Sequence, residues 1–165
     1  MGRQLLDKES YVGGIRMAFV VGDSDIVKTF SLMQQLRPAL AELTEDEYVT
    51  TIKRLQAHYG YQMVAVADDG TFASIAGYRI TESLAWNKYL YIDDLITDQN
   101  KRSNGFAGLL FDFLLEEAKR NHCQQIHLDS GVHRHVAHRF YLNKRFDITC
   151  HHFQMNIEPD TTIEK

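Results

Sequence analysis

At 165 residues the chain has the length of one ordinary domain, since a chain of this size already buries most of its apolar surface around a single core. Hydrophobic residues make up 44% and charged residues 24%, close to the averages for soluble globular chains, which disfavours disordered and fibrous architectures. The 18 Lys and Arg against 22 Asp and Glu leave a net charge of -4, too acidic for a broad phosphate-backbone footprint, so nucleic acid is not expected as a main ligand.

Residues 1–16 are polar, hold Gly13 and Gly14, and read as an arm ahead of a single domain over 17–158, with 159–165 as a tail. Neither a basic-then-apolar leader nor a run near the ~20 apolar residues that span a bilayer is present, so no membrane partner is expected. Cys123 and Cys150 form neither a disulfide framework nor a CxxC pair, and as free thiols they suit the cytoplasm. Residues 16–21 look like a short strand. Asp23 or Ser24 then caps a helix whose apolar positions Ile26, Val27, Phe30 and Met33 share a face, and Pro38 ends or bends it. Thr44 with Glu47 three residues on is a capping box ahead of a second helix that stops at Gly60.

Residues 61–67 and 71–81 are strand-like and separated by Asp68, Asp69 and Gly70, a hairpin signal. A turn at 83–88 leads to a third strand, 89–97, rich in Tyr, Ile and Leu. A long helix begins after Gly105, with Phe106, Leu109, Leu110, Phe113, Leu114 and Ala118 as its buried stripe. A strand at 125–129, a helix at 132–144 and a terminal strand at 148–157 complete a mixed α/β sheet with helices on its faces.

The stretch joining the third strand to the long helix carries the most chemistry. A strand feeding a glycine turn at a helix N-terminus leaves backbone N–H groups aimed at one point, where the helix dipole also favours an anion such as a pyrophosphate. Gly105 removes an obstructing side chain, Ala107 and Gly108 are small, and Lys101 and Arg102 add positive charge at the rim. A Walker A loop would need Gly-Lys-Ser/Thr, and a dinucleotide fingerprint would need GxGxxG early in a βαβ unit; neither is present.

Three segments in order resemble the GCN5-related N-acetyltransferase (GNAT) family over residues 16–157. Arg102, Ser103, Asn104, Gly105, Phe106 and Ala107 are similar to the family's acetyl-CoA loop, (Gln/Arg)-x-x-Gly-x-(Gly/Ala). The strand before it, Tyr91-Ile92-Asp93-Asp94-Leu95-Ile96-Thr97, looks like the central strand, often acidic where Asp93 stands. Downstream, Ala137-His138-Arg139-Phe140-Tyr141 and then Phe146 resemble the second motif, Ala-x-x-Phe-Tyr-x-x-x-Gly-Phe. Arg134 stands where the family often has Asn, and Arg145 replaces the Gly before the final Phe.

The resemblance implies a largely antiparallel sheet with splayed central strands, and an enzyme that moves an acetyl group from acetyl-CoA directly to a primary amine, expected to be a small molecule. A protein lysine or N-terminus is the alternative acceptor, and a non-catalytic CoA-binding sensor is an alternative of another class. It also implies that backbone amides from Arg102 to Ala107 receive the pyrophosphate, that Leu95, Ile96 and Thr97 pair through their backbone with the pantetheine arm, and that Arg134 sets a cation near the cofactor's phosphates. Tyr141 matches the tyrosine that donates a proton to the departing thiolate, its ordinary pKa of ~10 lying above the ~8.5 of a thiol.

An alkylammonium must lose a proton before it attacks, and Asp93 and Asp94 are the candidate bases or termini of a water chain. On a regular strand their side chains point to opposite faces, so at most one faces the amine, and a bulge could change which; the motif match favours Asp93. His133, His135 and His138 do not share one helical face and no Cys or carboxylate sits at ligand spacing, so no metal is expected. One of His151 and His152 is a candidate for the acceptor site, and Arg37 for meeting an acidic part of the acceptor, because the segments holding them line that cleft in relatives. Homodimers are frequent in the family and are the oligomeric expectation.

Overall fold

A computed structural model of the chain describes residues 14–157. The proposed N-terminal arm, apart from residues 14–16, and the proposed tail lie outside the described residues. The described residues form two compact units, divided after Leu128.

The first unit is a five-stranded sheet in the order β1-β2-β3-β4-β5, where β1 is Ile15–Phe19, β2 Gln62–Asp68, β3 Thr71–Ser83, β4 Asn87–Thr97 and β5 Gln125–Leu128. The first four strands are antiparallel to their neighbours, and β5 alone runs parallel, to β4. A parallel pair needs a long crossover, which α3 (Phe106–Arg120) supplies.

Strand β2 explains the layering. Its near-continuous apolar run alternates Met63, Ala65 and Ala67 into a core with α1 (Asp23–Leu36) and α2 (Glu45–His58), while Val64 and Val66 face a second core with α3. A sheet buried on both faces needs no polar face, so its strands lose the alternation of a half-exposed one. The stripe on α3 behaves as its periodicity predicts for Phe106, Leu110, Leu114 and Ala118, which are buried, whereas Leu109 is exposed.

Local signals set the helix ends. Thr44 and Glu47 form the expected reciprocal capping box at α2, with Glu47 N–H to Thr44 Oγ1 at 3.3 Å and Thr44 N–H to Glu47 Oε2 at 2.8 Å. The Thr44 N–H and the Thr44 hydroxyl both donate to Glu47 Oε2 and hold the Glu47 carboxyl below its ordinary pKa. At α1 the cap is Gly22 rather than Asp23 or Ser24: the Gly22 carbonyl accepts from Asp25 and Ile26 N–H, each at 3.0 Å. Asp23 sits instead in the first turn, where a carboxylate still favours the helix dipole, and pairs with Lys53 at 2.7 Å. Helix α1 ends at Leu36, and Pro38 opens a short 3-10 turn, Pro38–Glu42.

In the second unit, α4 spans His135–Asn143, shorter than the expected 132–144. The expected terminal strand is corrected: residues 147–157 form no strand, and Ile148, Phe153, Met155 and Ile157 are exposed. Alternating apolar residues mark competence for a sheet, but a strand exists only where a second backbone meets its N–H and C=O groups.

Candidate functional site

One irregularity in the sheet builds the acidic part of the site. Between β3 and β4 the register runs Gly77↔Asp94 and then Tyr78↔Ile92, so Asp93 is an extra residue on β4. Such a bulge breaks the alternation of side chains, and Asp93 and Asp94 consequently line the same cavity of about 320 Å³, together with Arg37, Leu55, Tyr59, Tyr61 and Arg79. The regular-strand expectation that only one aspartate faces the site gives way to its stated exception.

Each carboxylate has an arginine. Arg79 grips Asp93 with both forks, Nε to Oδ2 at 2.8 Å and Nη2 to Oδ1 at 2.6 Å, and these bonds raise the Arg79 pKa further above its ordinary value. Arg37, just past α1, donates from Nε to Asp94 Oδ1 at 3.1 Å and from Nη2 to the Asp93 carbonyl at 2.9 Å, and its Nη2 lies 2.9 Å from Asp94 Oδ1 as an ion pair. Asp94 also accepts from the Tyr61 hydroxyl at 2.9 Å. Burial, and then the Asp94 charge, push the Tyr61 phenol well above its ordinary pKa, so it stays a donor. Nearby, Tyr48 shares a 2.8 Å bond with Thr29 and is pushed up to about 12, chiefly by burial.

Tyr61 precedes β2 yet bonds a residue on β4, so its ring must cross β3. It does so over Gly77, where an added Cβ would stand 1.9 Å from the phenol oxygen. The sequence reading missed Tyr61 and Arg79. The signal available for them was an isolated glycine inside a strand, which marks a close approach, with an arginine two residues on.

The loop after β4 is tied at both ends. Asp98 N–H donates to the Ala73 carbonyl at 2.9 Å, and the buried Ser74 hydroxyl bonds the Ile96 carbonyl at 2.9 Å and Thr97 Oγ1 at 2.8 Å. Lys101, expected as a rim cation, also anchors the loop: its ammonium meets the Asp68 carboxylate at 3.0 Å and Thr71 Oγ1 at 2.9 Å. Asn104 donates to the Lys101 carbonyl at 3.0 Å, and Arg102 reaches the Thr97 carbonyl at 3.5 Å. Ser103 and Gly105 then turn the chain with left-handed backbones, φ 66° and 81°.

Gly105 is the N-cap of α3 and supplies no side-chain cap, and no atom lies within 4 Å of where its Cβ would be. The first bond into the helix is Leu109 N–H to the Gly105 carbonyl at 3.1 Å. The N–H groups of Phe106, Ala107 and Gly108 precede it, and at a helix start such groups point outward. The Phe106 ring is core, beside Leu110 and Leu114, so that residue offers a ligand its backbone alone. Leu95 and Ile96 likewise pack into the two cores.

Strand β4 pairs with β5 only from Tyr89↔Gln125 to Ile92↔Leu128. Beyond the Asp93 bulge, from Asp94 to Thr97, it is paired to β3 and not to β5, so its other edge carries main-chain groups directly upstream of the glycine turn. An extended ligand with an anionic end fits this combination of a strand edge running into a helix N-terminus.

In the second unit, Tyr141 lies on α4 with Phe140 and Phe146 edge-on at 5.6 and 5.8 Å, and its carbonyl accepts from Phe146 N–H at 3.1 Å. Burial raises its phenol pKa and the Arg134 charge at the α4 N-cap opposes that, leaving a protonated hydroxyl at neutral pH. His138 Nε2 bonds the Gly131 carbonyl at 3.0 Å, and His152 Nδ1 lies 3.2 Å from the Asp129 carboxylate.

A sequence model described as the Acetyltransferase (GNAT) family matches residues 29–146. An uncharacterized N-acetyltransferase of Bacillus subtilis (strain 168), YhdJ, is 25% identical over 130 residues, covering 79% of this chain and 89% of that protein. A putative acetyltransferase from Agrobacterium tumefaciens str. C58 superimposes with a TM-score of 0.73 at 25% identity, over 87% of this chain and 99% of the other. The fold is also that of glucosamine-6-phosphate N-acetyltransferase from Arabidopsis thaliana, with a TM-score of 0.71, 18% identity, and 87% and 99% coverage.

Proposed function

The chain belongs to the GNAT acetyltransferase family, and from that premise we propose that it transfers the acetyl group of acetyl-CoA to the primary amine of a small molecule. The observation that carries the reading is the continuity of three features on one strand. The bulge at Asp93 and Asp94 opens an acidic cavity, the β4 edge from Asp93 to Thr97 lacks β5, and Gly105 opens the N-terminus of α3.

Acetyl-CoA, when bound, supplies an acyl group activated as a thioester. Main-chain N–H groups of Arg102 to Ala107 would hold its pyrophosphate, helped by the absence of a side chain at Gly105, and the backbone of Leu95, Ile96 and Thr97 would align its arm. Asp93 and Asp94 attract the ammonium form of the acceptor. Both carboxylates are already engaged by Arg79 and Arg37, so a water between carboxylate and amine would carry the proton away. By the family resemblance Tyr141 would supply the proton that the leaving thiolate needs, and burial raises the pKa of its phenol. No helix among the described residues is long and apolar enough to cross a membrane. The cytoplasm is the proposed compartment on the free thiols Cys123 and Cys150.

The test is thermal unfolding with and without acetyl-CoA, followed by a panel of primary amines scored for free thiol. Stabilisation by acetyl-CoA with amine-dependent thiol release is expected. Stabilisation with no release for any amine would favour a sensor, and no stabilisation would exclude both.

A further inference from the structure

The acidic cavity is lined by as many fixed cations as anions, and the cations are the more open. The Asp94 and Asp93 side chains are 13% and 22% exposed, whereas their partners Arg37 and Arg79 are 54% and 39% exposed. The bonds described engage Nε and Nη2 of each guanidinium. Nη1 of each, with two N–H donors, makes no bond among the described residues. A ligand therefore meets guanidinium donors first and carboxylates deeper in. Guanidinium Nη groups recognise carboxylate and phosphate oxygens by charge-assisted bonds, and a purely cationic amine would be repelled by them.

Resting on the acetyl-transfer reading, we propose that the acceptor is a small zwitterion: a primary amine that also carries a carboxylate or phosphate. The amine is drawn to Asp93 and Asp94, and the anionic group is held by Nη1 of Arg37 and Arg79. A cavity of about 320 Å³ lies at the small end of ligand sites, which run from ~300 to ~1,000 Å³, and suits an amino acid or an amino-sugar phosphate. Leu55 and Tyr59 also line the cavity and add apolar character beside the charged groups. The matched ion pairs serve specificity as well. A polyamine finds no excess of negative charge, and an amine without an anion leaves both Nη1 groups unmet by the ligand.

The test compares matched acceptors with the full-length protein and acetyl-CoA: an amino acid series against the corresponding primary amides and decarboxylated amines, and amino-sugar phosphates against the free amino sugars. The anionic member of each favoured pair is expected to show a kcat/KM at least tenfold above its neutral partner. Arg37→Gln, which lies at a helix end and is half exposed, is expected to shrink that ratio about tenfold, while Arg37→Lys restores part of it. The carboxylate and phosphate arms report which anion is used. Equal or better turnover of the neutral partners, with thiol release intact, overturns the zwitterion proposal and leaves acetyl transfer standing. An unchanged ratio in Arg37→Gln also overturns it. No stabilisation by acetyl-CoA and no release with any acceptor overturns both.

Discussion

Replacing Gly77 with alanine removes the one opening through which the Tyr61 ring crosses β3. The new methyl would stand 1.9 Å from the phenol oxygen and 2.4 and 2.6 Å from two ring carbons. Central β-strand backbone on one side and a buried ring on the other cannot yield by that much, so the ring must leave. Overpacking of a core costs ~1–3 kcal/mol, and losing the hydrogen bond onto the Asp94 carboxylate costs a further ~1.5–3 kcal/mol. A loss of ~2.5–6 kcal/mol follows, a large part of the ~5–15 kcal/mol that holds a domain together. With a urea slope of ~2 kcal/mol/M, the unfolding midpoint falls by about 2 M. Tyr61→Ala removes the obstacle, so adding Gly77→Ala to it costs far less than Gly77→Ala alone, and a double-mutant cycle gives a coupling of ~2 kcal/mol or more. A single variant within ~0.5 kcal/mol of the parent, or strictly additive effects, would refute the crossing ring as the support of the acidic cavity.

Gly105→Ala meets no neighbouring atom but keeps a left-handed backbone at φ 81°; it should cost ~1–2 kcal/mol in stability and weaken acetyl-CoA binding measured by calorimetry. Tyr141→Phe should slow kcat for thiol release at least tenfold with CoA affinity nearly unchanged; equal turnover would remove Tyr141 from the reaction. Lys101→Met breaks the ties to Asp68 and Thr71 and should lower stability by ~1 kcal/mol with little loss of acetyl-CoA affinity, the opposite of a phosphate-binding cation. Tyr48, Tyr61 and Tyr78 all have pKa values raised above 10.0 by burial. Unfolded phenols release protons that the folded ones retain, so stability is intact below pH ~10 and falls as pH rises beyond it. Ultraviolet titration should show these three ionising together with unfolding, and smooth independent ionisation near pH 10 would contradict their burial.

Local chemistry was the legible part of the sequence. The Thr44 and Glu47 capping box, the Asp69-Gly70 turn and the Gly105 helix start each need only neighbouring residues, and each stands in the structure. Other features depend on a partner strand. Asp93 is a bulge residue only because β3 and β4 slip by one position at Gly77, so the two aspartates come to one cavity through a register that no local pattern encodes. Tyr61 reads as an ordinary aromatic until β3 is laid between it and Asp94. Lys101 reads as a rim cation by its place in the loop, and its pairing with Asp68 at the β2–β3 turn shows only once the strands are laid side by side. The apolar alternation at 148–157 marked a strand for which the described residues show no pairing.

The acetyl-transfer account is tested most directly by following the acetyl group itself. With acetyl-CoA carrying an isotope in the acetyl carbon and a zwitterionic amine as acceptor, the label should appear on the amine nitrogen in step with free CoA thiol. Release of labelled acetate at the rate of thiol formation, or label that stays on CoA while the protein binds it, would contradict the account.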